Sequence, residues 1–372
     1  MATQVNDESW AVALACAKRI GYVPTAFSQA IRLLVSDHLT NNKQIRAVTK
    51  YQVARVFRGP SFKATIYFAS RQLAAEYLEH NKSVSIGDLV ALYSPLDLAA
   101  FITCFFLNRR LKKITPEATW NVIGPKFLRD ASIGALVGVA IPRLGYAPGL
   151  LIGSLKNLSL VLMTGEDRSK YSTYIRKLEA EKKLSDDDLE RELWRTTSSQ
   201  VSSMILTHLG FKSEIGETIA AAMNTKTPTD DIENLTIQSY RLAYLWSETF
   251  IFGRQQPLER LDGKYFPFEK DRAIAELQIV EVKSGEKTWL ERCQADLTKE
   301  HAPHLFAPRE EDPNFEIPEQ LKDVFNLKEL TSMEEEDFDK LVDQIDAEQA
   351  TAKRRDDVIA SKDLADIESE FA

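Results

Sequence analysis

His301 and His304, separated by Ala302 and Pro303, are the nearest approach to a metal-ligand pair in this chain. A metal centre needs several converging ligands. No ligand pattern surrounds these two, so the stretch reads as a solvated loop. His38, His80 and His208 stand alone. His208 ends a predicted helix, where a cationic side chain suits the dipole. Cys16, Cys104 and Cys293 are odd in number and far apart, which argues against a disulfide framework and for a reducing compartment. Gly134, Gly138, Gly145, Gly149 and Gly153 fit neither phosphate-binding glycine pattern, and no strand precedes them. Their spacing of four predicts close helix packing instead. The basic stretch Lys43, Arg46, Lys50, Arg55, Arg58 and Lys63, with Tyr51 and Phe57 interleaved, could meet nucleic-acid phosphates. No helix-turn-helix follows it, so a charged helix face is favoured and nucleic acid is disfavoured. Arg109, Arg110, Lys112 and Lys113 read as a basic helix C-terminus.

Charge divides the chain. Residues 309–372 carry 21 acidic and 8 basic side chains, which leaves 34 acidic against 39 basic in residues 1–308. An acidic tail on a mildly basic body suggests a solvated tail, or charge-based partner choice. Asp7 and Glu8 sit where a signal peptide would carry positive charge. The apolar runs Ala131–Ile141 and Leu144–Leu155 end at Arg143 and Lys156, short of the roughly 20 residues a bilayer needs. The chain therefore reads as cytoplasmic, without a membrane span.

The elements that must position any site are helical in pattern. Apolar residues recur at helical spacing over 23–37, 40–58, 62–79, 84–107, 126–163, 186–209, 214–223 and 233–251. Ser85 and Ser185 are predicted to open helices. Gly59-Pro60 and Leu144-Gly145-Tyr146 mark breaks, and Gly210 suits a left-handed helix end. Residues 275–290 are the exception, because Ser284-Gly285 permits a small β-hairpin there, with a charged helix as the alternative.

The stretch from Ser185 to Asn224 resembles the C-terminal half of the HDOD domain, a signalling relative of the HD phosphohydrolases. Glu190, Glu192, Leu193, Trp194, Val201, Leu206 and Gly210 hold the register. Residues 84–107 resemble a second family segment. The resemblance implies an all-α, two-lobed HDOD/HD-like domain in a bacterial signal-transduction protein, with Trp194 as a buried packing anchor. It also locates what is missing. The metal-ligand positions of an HD centre fall on Asp130, on Ile152 and Gly153, on Thr197 and Ser198, and near Ala222-Met223-Asn224. The chain is thus expected to be a non-catalytic scaffold with no cofactor and no metal, acting through protein partners or as a homodimer. The alternatives are a nucleotide-messenger sensor and, last, a residual metal-dependent phosphohydrolase. Arg129, Asp130, Lys156, Thr197 and Ser198 would line the vestigial cleft.

The division expected is an N-terminal helix (1–22), the HDOD-like domain (23–255), an extension packing on it (256–308) and a partly disordered acidic tail (309–372). Pro303, Pro308, Pro313 and Pro318 mark the linker into that tail. Within the tail, 332–346 reads as an amphipathic docking helix, with Phe338, Leu341, Val342 and Ile345 as its apolar stripe.

Overall fold

Ser85 and Ser94 show how local chemistry starts a helix in this chain. Each is extended, and its hydroxyl accepts from the backbone N–H three residues on, at 3.2 Å from Asp88 and 3.3 Å from Asp97. The carboxylate of that same aspartate returns a bond to the serine N–H. Both are complete capping boxes, which satisfy amides that helix geometry orphans. Pro95 follows Ser94 at no cost, since the first helical N–H has no acceptor within the helix.

A computed structural model of the chain describes residues 2–307 apart from 58–59, 142–143, 166, 225, 258, 260–268, 284–287 and 293–297. Residues 308–372 form a second unit outside that description, and the expected docking helix with Phe338, Leu341, Val342 and Ile345 lies there, as does Cys293 in its own stretch. The described chain opens with α1 (Ala2–Lys18), α2 (Thr25–Thr40), α3 (Ala47–Val56), α4 (Pro60–Leu73), α5 (Ala75–His80) and α6 (Ile86–Ala91). Three long helices follow: α7 (Pro95–Ile114), α8 (Glu117–Ala140) and α9 (Tyr146–Thr164). Next come α10 (Arg168–Glu181), α11 (Asp187–Trp194), α12 (Ser198–Leu209), α13 (Ser213–Met223) and α14 (Leu235–Ile251). The set closes with α15 (Glu269–Lys283), α16 (Trp289–Arg292) and α17 (Pro303–Phe306). The all-α class is as expected, and no strand occurs among the described residues.

Four local expectations are resolved. Of the two alternatives over 275–290 the charged helix is found, as α15 to Lys283, while Ser284 and Gly285 lie outside the described residues. Ala275 and Ile279, four residues apart, bury one face of it against α8, and Arg272 pairs with Glu276 at 2.8 Å along another. Residues 186–209 are two helices. Arg195 turns left-handed (φ 60°), and Thr197 then opens α12 with its own capping box to Gln200. Short hydroxyl side chains at 196–199 compete for the backbone and favour such a break. The first of the two helices is capped by Asp186, not Ser185. His304 does not lie in a free loop: it sits in α17, with its ring Nδ1 3.1 Å from the Tyr67 hydroxyl, while the Val84 N–H donates to its carbonyl.

α9 is the axis of the fold. It packs against α7, α8, α12 and α14, and every residue from Ala147 to Thr164 is buried. It joins the second apolar run of the sequence with residues beyond Lys156, making it a helix long and apolar enough to cross a bilayer. Here all of it is packed inside protein.

Glycine lets α8 approach so closely. A Cβ on Gly138 would lie 2.9 Å from the Gly149 Cα, and one on Gly134 would lie 2.8 Å from the Gly153 Cα. Backbone meets backbone along two turns, as the spacing of four predicts. Gly138→Ala is therefore expected to destabilise the fold by about 1–3 kcal/mol through overpacking. A denaturant titration read by circular dichroism checks it, and an unchanged midpoint would show that the helix pair can part.

Candidate functional site

The residues expected to line the cleft lie around α9 in a polar layer, with Asp130, Lys156, Thr197 and Ser198 buried and the Arg129 side chain 40% exposed. Asp130, on α8, accepts from Arg129 at 2.9 Å (Nε) and 2.8 Å (Nη2), and from the Asn157 side-chain amide at 2.9 Å. Asn157 sits next to Lys156 on α9. Thr197 is the N-cap of α12 and Ser198 its first residue, and both are buried.

Glu190 brings the second half of the layer together. Its carboxylate accepts from the Tyr174 hydroxyl of α10, from the Ser198 N–H and from the Ser198 hydroxyl at 3.0 Å. One side chain thus joins α10, α11 and α12. Burial pushes its pKa up to about 7, despite hydrogen bonds that favour the charged form. Gln200 extends the layer to α1. Its Oε1 accepts from the Ser9 hydroxyl at 2.6 Å and from Thr196 at 3.2 Å. Ser159 and Ser202, 2.9 Å apart, stitch α9 to α12. On the far side, Glu248 of α14 accepts from the Leu184 N–H at 2.7 Å, and the Ser185 and Tyr244 hydroxyls lie 2.5 Å apart.

Lys156 lies among these groups at 7% exposure. Burial holds its pKa below the ordinary lysine value, opposed by the charges of Asp130, Glu190 and Glu248. None of those carboxylates comes within 4 Å of its amine among the described residues. The structure therefore gathers Arg129, Asp130 and Lys156 on one side, and reaches Thr197 and Ser198 through Glu190. Glu190, Asn157, Tyr174 and Glu248 complete the layer. The sequence reading used Glu190 only to fix a register and passed over the other three. A lone acid or amide in a helix gives no sign that it is buried.

The surroundings of position 153 are steric. A Cβ on Gly153 would lie 3.0 Å from the Asp130 carbonyl carbon and 3.1 Å from the Ala131 Cα, with the Asp130 oxygen nearer still. Ile152 is buried in the core. Near Ala222-Met223-Asn224 the buried Arg241 of α14 takes the space. Its guanidinium donates to the carbonyls of Ala221 (2.8 Å), Thr227 (2.7 Å), Ala222 and Asn224. Among the described residues no group of three or more His, Cys, Asp or Glu side chains could hold a metal ion. His208 is engaged with the Gly21 carbonyl at 3.0 Å, and His301 has the Thr298 hydroxyl 2.6 Å from its Nδ1.

The raised Glu190 pKa has a measurable consequence. A carboxyl whose folded pKa (about 7) exceeds its ordinary 4.5 contributes stability that is full below pH 4.5 and lost as pH rises through 7. The whole swing is roughly 3 kcal/mol. Asp187 and Glu248, also raised by burial, act in the same direction. Glu190→Gln should flatten the fall in stability between pH 5 and pH 8. Urea titrations at the two pH values measure it, and equal slopes in variant and wild type would show that Glu190 titrates normally.

An all-helical bundle with a polar layer around one central helix is the class these observations define. No family model and no curated protein matches the chain. Two solved structures are similar to it. One is named "HDOD domain protein with unknown function" from Geobacter sulfurreducens, 14% identical over 77% of this chain and 93% of that one, with a TM-score of 0.46. The other is named "Putative phosphohydrolase" from Shewanella amazonensis SB2B, 12% identical over 76% of this chain and 97% of that one, with a TM-score of 0.45. Likeness of that degree carries no argument about activity.

Proposed function

We propose that this chain is a non-catalytic regulatory scaffold of the HDOD kind, working through protein–protein contact in the bacterial cytoplasm. The observation that supports it most is the packing at Gly153. In the register of the resemblance that position would carry the aspartate of the HD pair. Here the backbone of α8 occupies the space its Cβ would need. The matching histidine position is Ile152, in the core, and Thr197 and Ser198 are spent on capping α12 and holding Glu190. Donors committed to protein in this way are unavailable to a metal or a phosphoester. The purified protein is expected to hold no stoichiometric iron, manganese or zinc and to hydrolyse no phosphoester. One equivalent of any of these metals, with hydrolysis abolished by a chelator, would overturn the reading.

A second reading is a sensor for a nucleotide messenger in the former cleft. What favours it is the Lys156 amine, buried without a direct partner among the described residues. Mass spectrometry of the denatured pure protein separates the two readings, since only a sensor releases a bound nucleotide.

A further inference from the structure

α10 is held to the rest of the chain by one narrow stripe. Ten of its fourteen residues are exposed, and the buried ones, Tyr171, Tyr174 and Leu178, fall at i, i+3 and i+7. Among the described residues its polar ties to other segments are few. The Tyr174 hydroxyl donates to the buried Glu190 carboxylate and accepts from the Asp186 N–H at 3.3 Å, and Glu179 meets Lys126 of α8 at 3.2 Å, partly in solvent. The Tyr171 hydroxyl is buried with no partner, which works against the seated position. Both ends of the helix are joints. Gly165 (φ 52°) stands before it and Lys182 (φ 54°) ends it, each in the left-handed region. A lysine there carries steric strain that glycine does not. Below α10 lies the Lys156 amine, which feels the charges of Glu190, bonded to Tyr174, and of Lys126, paired with Glu179.

We propose that α10 is a lid over the Glu190–Lys156 layer, hinged at Gly165 and Lys182 and latched by the Tyr174–Glu190 hydrogen bond. The lid needs neither a metal nor a nucleotide, so it stands under either reading of the function. Its control is a proton. Closed, it keeps Glu190 buried, with a pKa of about 7; lifted, it returns the carboxyl to water and towards the ordinary 4.5. Opening therefore becomes easier as pH rises, by about tenfold between pH 6 and pH 8. The groups around Glu190 bear on the same balance. Asp187 on α11 and Glu248 on α14, raised by burial, act in the same direction. Lys156 on α9, lowered by burial, acts against them. Tyr174 on α10 and Tyr244 on α14 stay neutral across this range, and α12 faces Glu190 with the Ser198 hydroxyl and N–H.

A helix of 14 residues is marginal in water on its own, so a lifted α10 loses its amide hydrogen bonds. Hydrogen exchange of the full chain, followed by mass spectrometry without denaturant and corrected for the intrinsic effect of pH, reads that opening. The α10 amides should exchange well ahead of those of α9 and α12. Their opening equilibrium should rise about tenfold from pH 6 to pH 8. Tyr174→Phe keeps the ring and cuts the latch, and should raise opening by about tenfold at both pH values. Glu190→Gln reproduces the protonated carboxyl, since its carbonyl can accept from the Ser198 N–H while its amide donates to the hydroxyl oxygens. It should leave α10 protected and indifferent to pH. Exchange of α10 only together with α9 and α12 overturns the lid. An α10 that opens alone but ignores Tyr174→Phe overturns the latch. Equal opening at pH 6 and pH 8, or a pH response that survives Glu190→Gln, overturns the control by Glu190.

Discussion

Arg241→Met is expected to cost about 3–5 kcal/mol, a large share of the roughly 5–15 kcal/mol that holds a domain folded. The guanidinium is fully buried at the C-terminal end of α13 and in the loop after it. It donates to the carbonyls of Ala221, Ala222, Asn224 and Thr227, so one side chain satisfies the acceptors that a helix C-terminus orphans. Methionine fills much of the same volume but donates nothing, and leaves those carbonyls without their donor. Arg241→Lys should recover only part of the loss, because an ammonium cannot reproduce the planar fork. The measurement is the free energy of urea unfolding for the three proteins. A methionine variant within about 1 kcal/mol of wild type would show that water or backbone rearrangement can take over the role.

Trp246→Ala should be comparably severe, at about 3–5 kcal/mol. Trp246 is fully buried, its ring lies 5.6 Å from that of Phe250, and the Arg272 guanidinium of α15 stacks 4.9 Å above it. Truncation would open a cavity in α14 and remove the platform on which α15 rests. Stability and the protease resistance of α15 should therefore fall together. Loss of stability with α15 still fully protected would show that the helix is held by α8 alone.

The tryptophan that the sequence pointed to was a different one. Trp194 stands in the motif that set the register, and it was expected to be a buried anchor. It is only half-buried, packed edge-on against Tyr174 at 5.2 Å where α11 ends. The helix break at Arg195 explains the difference, since Trp194 is the last residue of a short helix and not the middle of a long one. Periodicity located most of the long helices because burial on one face leaves a period in the sequence, but α10, polar along most of its length, went unseen. It located the α8–α9 contact too, since glycines four apart have few other uses. It could not see Arg241, although a lone arginine inside Tyr240–Trp246 was a signal that something polar had to meet it. Nor could it see Asn157, Tyr174 or Glu248, because their roles depend on partners 16 to 64 residues away.

The Gly153 contact also bears on what this sequence can become. Placing an acid at that position is a change of one residue on paper. In the folded chain it drives α8 and α9 apart, and with them the Gly134, Gly138 and Gly149 contacts that share the seam. A metal centre would then need several ligands at once, on a helix pair that had already lost its packing. Each single step towards it is a loss of stability with no activity in return. A protein held this way can vary its surface while its interior keeps a single packing.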